Sequence, residues 1–222
     1  IAPAEKLLEE LKNEIDIPVR CIPLDLTADG AVDWYKAMLE KEKPEVAVLV
    51  NASGYGKFSA FSELELEEQL GMIDLNVKAL VAVTYVTAPY LKSGSRVYQV
   101  DSLSAFQPVP YISVYGATKA FVLSFTRAVN AEWRHTGIRM MAVCPGWVKT
   151  EFFNRAVTDD GVITYYNRFF TADQVVKRAL RDMKKGKDVS VCGFSIRMQV
   201  LLTKLLPHKL VMKIWLKQQK KK

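Results

Sequence analysis

The residue types best suited to proton transfer lie between positions 102 and 119. Tyr115 and Lys119 are four residues apart, so on a helix their side chains project from one face, one turn from each other. Ser102 ends a largely apolar run, residues 96–102, that predicts a buried strand. A nearby ammonium favours a phenolate, so we expect the pKa of Tyr115 to fall from its usual ~10 towards working pH. Together the three side chains predict a site that moves a proton to or from a bound oxygen.

These residues resemble the signature of the short-chain dehydrogenase/reductase family. That signature is Tyr-x-x-x-Lys with a serine about thirteen residues before the tyrosine, which is the spacing from Ser102 to Tyr115. Three further segments are similar to the family: Asn51-Ala52-Ser53-Gly54, Leu75-Asn76-Val77 and Pro145-Gly146-Trp147-Val148-Lys149-Thr150. The first departs from the family's Asn-Asn-Ala-Gly at two positions. The first and third follow apolar runs, at 46–50 and 138–144, whose carboxyl ends are where open α/β sheets bind ligands.

The resemblance implies an oxidoreductase that transfers a hydride between NADP or NAD and a carbonyl or secondary alcohol. It assigns Tyr115 as general acid or base, and Lys119 as the group that stabilises its phenolate and binds the nicotinamide ribose. Ser102 would bind the substrate oxygen, and Asn76 would hold a relay water. The resemblance also implies that Asp25 contacts the adenine of the cofactor. The full set of implied cofactor contacts is Asp25, Asn51, Ala52, Ser53, Gly54, Tyr115, Lys119, Pro145, Gly146, Val148 and Thr150.

Helical periodicity alternates with short apolar runs, which predicts a doubly wound parallel sheet with helices on both faces, the Rossmann fold. We expect a first strand at residues 19–24, at a sheet edge because of Pro23. Long helices are expected at about 63–91 and 113–136. Three helix starts are predicted from capping side chains: Thr27, Ser62 with Glu65, and Thr171 with Gln174.

One part of the family's pattern is missing from this sequence. The family opens with a strand, a glycine-rich phosphate turn, a helix and a second strand, and this β-α-β portion does not occur here. Because no methionine precedes Met38, we expect the sequence to begin inside a longer chain. Without those strands the 19–24 strand would have no neighbour to pair with. The choice between NAD and NADP, which the missing portion makes, stays open.

Composition and charge exclude several other classes of protein. The 222 residues are half hydrophobic, and no run of eighteen apolar residues predicts a membrane span. Residues 196–222 carry eight Lys and Arg and no acid, which leaves residues 1–195 at about −1 and disfavours nucleic-acid binding. Neither histidine lies near a nucleophile motif, which argues against a Ser-His hydrolase. Three cysteines in apolar runs indicate reduced thiols and a cytoplasmic protein.

Aromatic side chains flank the expected carbonyl site and predict an apolar substrate, such as a steroid or a 3-oxoacyl chain. The proposed substrate contacts are Phe106, Tyr111, Trp147, Phe152 and Phe153. Six aromatic residues between 151 and 170 predict either a lid over that substrate or anchors packed in the core. Both interpretations remain open from the sequence.

The chain is expected to divide into an oxidoreductase domain, residues 1–195, and a basic amphipathic extension, residues 196–222. The extension predicts two short helices, broken at Pro207, that either lie on an anionic membrane or pack on the domain or a second subunit. The resemblance implies a homo-oligomer through helices 63–91 and 113–136. The alternative function is a dehydrogenase-like scaffold that binds no cofactor.

Overall fold

The structure, a computed structural model, describes residues 10, 11, 14, 17–152, 156 and 162–221. Its central sheet has four parallel strands in the order β1-β2-β3-β6. The strands are β1 Val46–Asn51, β2 Leu91–Val100, β3 Arg139–Val143 and β6 Val189–Ser190. A second parallel pair joins β4 Trp147–Val148 to β5 Phe169–Phe170.

Helices connect these strands and cover both faces of the sheet, which confirms the predicted Rossmann class. Their bounds are α1 Ala31–Glu42, α2 Leu66–Tyr90, α3 Ser113–Glu132, α4 Ala172–Lys184, α5 Phe194–Leu205 and α6 His208–Gln218. The two long helices fall where they were expected, each slightly shorter than predicted.

Strand β3 shows how the sheet is buried on both faces. Met140 and Met141 are adjacent, so their side chains point to opposite faces, yet both are fully buried. Met140 packs with Val129 and Trp133 on the α3 side, whereas Met141 packs with Ala179 and Met183 on the α4 side. The unbroken apolar run at 140–143 follows from this double coverage.

Residues 19–24, predicted as a strand, form none, so that prediction is wrong. Within the described residues β1 is an edge strand that pairs with β2 alone, and no strand lies beside 19–24 to accept its hydrogen bonds. Pro23 also removes one backbone donor from this segment. Arg20 anchors it instead through an ion pair with Glu42 at 2.8 Å.

Two of the three predicted helix starts are wrong. The Thr27 hydroxyl donates to the Asp25 carboxylate at 2.7 Å rather than capping α1, which begins after Gly30 in a left-handed conformation. Helix α2 begins at Leu66 without a side-chain cap.

The α2 start is set by a side chain further along the helix. The Gln69 amide donates to the carbonyl oxygens of Phe61 and Leu64 and closes those residues into a turn. The capping box at Thr171 and Gln174 is confirmed.

Helix α2 is long and apolar enough, by length and composition, to cross a membrane, although the sequence predicted no spanning run. Thr84 on this helix nevertheless has polar partners inside the domain. The Thr84 hydroxyl accepts hydrogen bonds from the side-chain amides of Asn51 and Gln99, at 2.9 and 3.0 Å. We therefore assign α2 as a core helix.

Candidate active site

One cavity of about 1270 Å³ lies at the carboxyl end of the sheet and contains most of the predicted site. Strands β2 and β3 end at Val100 and Val143, and residues that follow them, 101–104, 106–107 and 145–148, line the cavity. This is the edge at which parallel α/β sheets place their ligands.

The first turns of α3 bring Tyr115 and Lys119 together in this cavity. Both side chains are buried, at 8% and 6% exposure. The Lys119 Nζ lies 5.7 Å from the centroid of the Tyr115 ring and donates to the carbonyl oxygen of Val100 at 2.8 Å. The bond to the end of β2 fixes the ammonium beside the phenol, as the one-turn spacing predicted.

Ser102 is held at the same point by the turn that it starts. Its Oγ accepts a hydrogen bond from the backbone N–H of Ser104 at 3.2 Å and caps the short helical turn Leu103–Phe106. The hydroxyl also interacts with the Tyr115 phenol, and this hydrogen bond stabilises the phenolate. Ser102 and Tyr115 are therefore placed to bind one substrate oxygen between them.

Asn76 lies behind the cavity in an irregular part of α2. Residues Asp74–Ala79 form a π-helical segment, and Asn76 within it is fully buried. Its Oδ1 accepts from the Tyr55 N–H at 3.0 Å, while its amide donates to the Tyr55 carbonyl at 2.9 Å and the Thr118 hydroxyl at 3.1 Å. Both N–H donors of the Asn76 amide, which was predicted to hold a water, are therefore bonded to protein groups.

Gly54 makes this close packing possible. A Cβ at that position would lie 2.8 Å from Asn76 Oδ1 and 3.8 Å from Lys119 Nζ. A larger residue would force the Asn76 amide to shift.

The expected lowering of the Tyr115 pKa is wrong for this structure. Burial raises the pKa of Tyr115 well above its usual range, and the charge of Asp101 raises it further, against the hydrogen bond from Ser102. The Lys119 ammonium lies 5.7 Å from the centroid of the ring and also donates to the Val100 carbonyl, and burial outweighs the support that its charge gives to the phenolate. Tyr115 is therefore a neutral phenol, which is the form that donates a proton.

Asp101 is a site residue that the sequence interpretation missed. The residue is 3% exposed and lines the cavity; its Oδ2 accepts from the Cys144 thiol at 3.4 Å, while Oδ1 has no partner among the described residues. Burial raises the pKa of Asp101 to about 7, against the opposing charge of Lys119. Burial lowers the pKa of Lys119, and the charge of Asp101 opposes that effect. The only sequence signal was an acidic residue at a strand end beside the serine.

The predicted cofactor residues divide into two groups. Those that line the cavity are Ala52, Gly54, Tyr115, Lys119, Pro145, Gly146, Val148 and Thr150. Asp25, Asn51 and Ser53 do not line it. Asp25 is exposed and bonded to Thr27, and the Asn51 amide donates to Thr84 and Gln99 in the core.

Of the predicted substrate residues, Phe106, Trp147 and Phe152 line the cavity, and the ring of Phe152 lies 5.7 Å from that of Tyr115. Tyr111 does not line it and instead packs at its margin, with the Lys221 ammonium 5.3 Å from its ring. Phe153 lies outside the described residues.

Of the other four described aromatic residues in the 151–170 segment, Tyr166 and Phe170 pack inside the protein, whereas Phe169 is 40% exposed. The Tyr166 ring contacts Trp147 and Phe169, and Phe170 is buried at 5% exposure. Tyr165 lines the cavity but remains 43% exposed. Tyr166 and Phe170 therefore have the contacts of core anchors, and the lid over the substrate stays a prediction.

A family model described as short chain dehydrogenase matches residues 1–161, most of the chain. This chain belongs to the short-chain dehydrogenase family. It is 28% identical, over 79% of its length, to an NADP-dependent 3-hydroxy acid dehydrogenase of Schizosaccharomyces pombe. It is 26% identical, over 85% of its length, to the 17-beta-hydroxysteroid dehydrogenase type 3 of Mus musculus. The chain spans 66% and 60% of the length of these two relatives.

Solved structures of the family show the same fold. A short-chain dehydrogenase from Sphingobium yanoikuyae, in complex with NADPH, superposes with a TM-score of 0.76 at 26% identity. The match covers 89% of this short-chain dehydrogenase and 77% of that protein.

Proposed function

We propose that this protein is an NAD(P)-dependent oxidoreductase that interconverts a lipophilic ketone and its secondary alcohol. The observation that carries the proposal is the convergence of Tyr115, Lys119 and Ser102 on one cavity at the carboxyl end of the sheet. The 3-hydroxy acid and hydroxysteroid dehydrogenases among its relatives support the same reaction class.

The residues present fit the nicotinamide end of the cofactor. Two buried polar atoms on the cavity wall, Asp101 Oδ1 and Ser104 Oγ, have no partner among the described residues and suit a ligand with hydrogen-bonding groups. At the Gly146 turn a Cβ would lie 3.1 Å from the Leu103 side chain, so glycine avoids a tight contact at this point of the cavity wall. Lys119 and Tyr115 would hold the ribose, with Pro145, Gly146, Val148 and Thr150 along the nicotinamide.

The chain's own residues orient the substrate and supply the proton. Ser102 donates a hydrogen bond to the carbonyl oxygen, and the neutral Tyr115 phenol transfers its proton to that oxygen as negative charge develops. Lys119 stabilises the phenolate that remains. When bound, the nicotinamide supplies the hydride to the carbonyl carbon. Phe152 and Trp147 exclude water from the reacting centre.

Turnover by the full chain tests this proposal directly. Oxidation of NADPH and of NADH is followed by absorbance with a polycyclic ketone, and cofactor binding is measured separately by fluorescence. We expect binding of one or both cofactors and ketone-dependent oxidation. If the folded protein neither binds nor oxidises either cofactor, the proposal is wrong and the scaffold alternative is favoured.

Substrate preference gives a further prediction. The cavity exceeds the roughly 300–1,000 Å³ of an ordinary ligand site, and Phe58, Phe106 and Phe152 contribute apolar side chains to its wall. We expect kcat/KM for a polycyclic ketone to exceed that for an aldose by at least about 100-fold, a difference of ~2.7 kcal/mol. Phe106→Ala should reduce the preference, whereas Phe61→Ala, outside the cavity, should not. Equal turnover of both substrates would contradict the apolar assignment.

We also propose a homo-oligomer through the two long helices. Leu66, Leu70 and Ile73 form an exposed stripe at helical spacing on α2, and Phe121 is exposed on α3 and stacks on Phe125. Light scattering should give at least a dimer, and Leu70→Asp should dissociate it. Trp34→Asp, with the same exposure as Leu70 to within a few per cent, is the control. A wild-type monomer at micromolar concentration would contradict this prediction.

A further inference from the structure

The outer faces of α5 and α6 are not explained by the oxidoreductase site. On α5 the exposed side chains are Phe194, Met198, Leu201, Leu202 and Leu205, at 71, 41, 47, 51 and 71% exposure. They recur at intervals of three and four residues and therefore form one stripe. A helix on the surface of a water-soluble domain normally places polar residues on this face.

The opposite face of α5 is fixed to the protein, so the stripe cannot turn inward. Ile196 and Thr203 are buried at 2 and 7% exposure. Ile196 packs in the cluster around Ala142 and Phe170, with Val200 against it. The helix is thus apolar on both sides, with only its inner side covered by the chain.

Helix α6 is also held on the protein by its inner face, and its outer face carries positive charge. Its Trp215 donates from Nε1 to the Pro110 carbonyl at 3.1 Å, and Gln219, just after the helix, is 1% exposed and bonded to residues 164 and 165. Lys209, Lys213 and Lys217 are exposed at intervals of four and form an outer stripe. Leu210 and Ile214 lie beside that stripe at 43 and 44% exposure.

We propose that the outer surface of α5 and α6 docks on an anionic phospholipid bilayer. The apolar stripe of α5 would enter the interface, and the lysines of α6 would lie at the lipid phosphates with their aliphatic stems along the apolar surface. Residues 196–222 have eight basic and no acidic residues, so two copies of this surface repel each other, and an anionic partner fits.

The inner faces of the same helices connect this surface to the cavity. Gln199, Val200 and Thr203 of α5 and Trp215 and Gln218 of α6 line the cavity wall. Docking would therefore place one wall of the cavity at the bilayer, where a lipophilic substrate dissolves. This last step rests on the proposed function, whereas the docking itself does not.

Co-sedimentation of the full chain with vesicles tests the docking without any assay of activity. Vesicles contain either phosphatidylcholine alone or phosphatidylcholine and phosphatidylserine in equal amounts. We expect binding to the mixed vesicles at low salt, and weaker binding at high salt or to phosphatidylcholine alone. If the protein stays in the supernatant with mixed vesicles at low salt, the proposal is wrong.

Two pairs of variants separate charge from apolar contact. Lys209→Glu with Lys213→Glu and Lys217→Glu should weaken binding roughly 100-fold or more, whereas the same change at exposed Lys41, Lys92 and Lys184 should have a much smaller effect. Leu201→Ser with Leu205→Ser should weaken it roughly tenfold or more. Their control is Phe61→Ser with Trp34→Ser, which have similar exposure.

Two further outcomes would also overturn the proposal that this surface docks on a bilayer. Binding that depends on the lysines but not on Leu201 and Leu205 would overturn the proposal, since an acidic protein surface would then serve equally well. Dissociation of a dimer by Leu201→Ser with Leu205→Ser, seen by light scattering without vesicle binding, would assign the surface to a second copy instead.

Discussion

Replacing Tyr115 by phenylalanine is expected to abolish carbonyl reduction while leaving the fold intact. The change removes only the hydroxyl that donates the proton, and the ring keeps its packing against Phe152. General acid catalysis contributes roughly 10²–10⁴-fold, so kcat should fall by at least about 100-fold, equivalent to ~2.7 kcal/mol of barrier.

Stability should change much less than activity. The hydroxyl is buried and interacts with Ser102, so its loss costs about 1 kcal/mol and about 2–4 °C in Tm for a chain of this size. The matched control is Tyr35→Phe, because the Tyr35 hydroxyl also has one partner, the Thr87 hydroxyl at 3.0 Å, but lies outside the cavity.

The two variants together separate catalysis from folding. Tyr35→Phe should lower Tm by a similar amount and leave kcat unchanged. A Tyr115→Phe enzyme within about tenfold of the wild type, a barrier change near ~1.4 kcal/mol, would contradict the assignment of the proton donor.

The sequence predicted the parts of the site that local geometry determines. Tyr115 and Lys119 share a helix face because of their four-residue spacing, and Ser102 reaches them because it follows a strand of the parallel sheet. Both relations hold wherever those elements form, so the motif and the fold class could be predicted together.

The features that the sequence did not reveal depend on tertiary contacts. The strand at 19–24 needs a neighbour to pair with, and the described residues provide none. Asn51 is drawn into the core by Thr84 and Gln99, which lie more than thirty positions away in the chain. The partners of Asn76 likewise come from other elements, at Tyr55 and Thr118. No local pattern contains this information.

The prediction that the pKa of Tyr115 is lowered was wrong for a related reason. The sequence places an ammonium one turn from the phenol, but it does not show that both groups are buried or where the ammonium is bonded. Burial of the phenol disfavours the phenolate, and this effect outweighs the support from the nearby Lys119 ammonium, which also donates to the Val100 carbonyl. Burial therefore has a larger effect on the Tyr115 pKa than the one-turn spacing of the ammonium, and only the folded structure shows that both groups are buried.

Replacing Asp101 by asparagine is expected to raise stability at about pH 8 and to change it little at about pH 4. The pKa of Asp101 is about 7 in the folded protein, against an ordinary value of ~3.9 in the unfolded chain. Folding therefore favours the protonated acid. The stability that this residue contributes is complete below ~3.9 and is lost as pH rises through about 7.

An asparagine does not titrate, so the variant avoids that loss. The difference between the folded and unfolded pKa values of Asp101 corresponds to at most about 4 kcal/mol of stability at high pH. The groups that act on or respond to the carboxylate are the Lys119 ammonium and the Tyr115 phenol of α3, the Ser102 backbone N–H, and the Cys144 thiol after β3, on which Asp188 also acts. Because the variant removes the charge that supports the Lys119 ammonium, the net gain is smaller than this limit.

The same loss of charge should appear in the pH profile of activity. Asp101 raises the pKa of Lys119 against the effect of burial, so in Asp101→Asn the ammonium deprotonates at a lower pH. The alkaline limb of kcat should move to lower pH, because the phenolate left by proton transfer then loses its cation. A variant with an unchanged alkaline limb would exclude Lys119 as the group that titrates there.

Thermal melts from about pH 4 to pH 8 measure the stability prediction. The difference in Tm between Asp101→Asn and wild type should grow as pH rises and level off above about 7. Asp182→Asn is the opposite control: burial raises the pKa of Asp182, but bonds with Lys187, Arg178 and Ser190 outweigh this and leave it low. That variant should lose stability at neutral pH and approach the wild type in acid. A flat difference for Asp101→Asn would mean that its carboxylate is not titrating inside the fold, and its place beside Lys119 would then be purely structural.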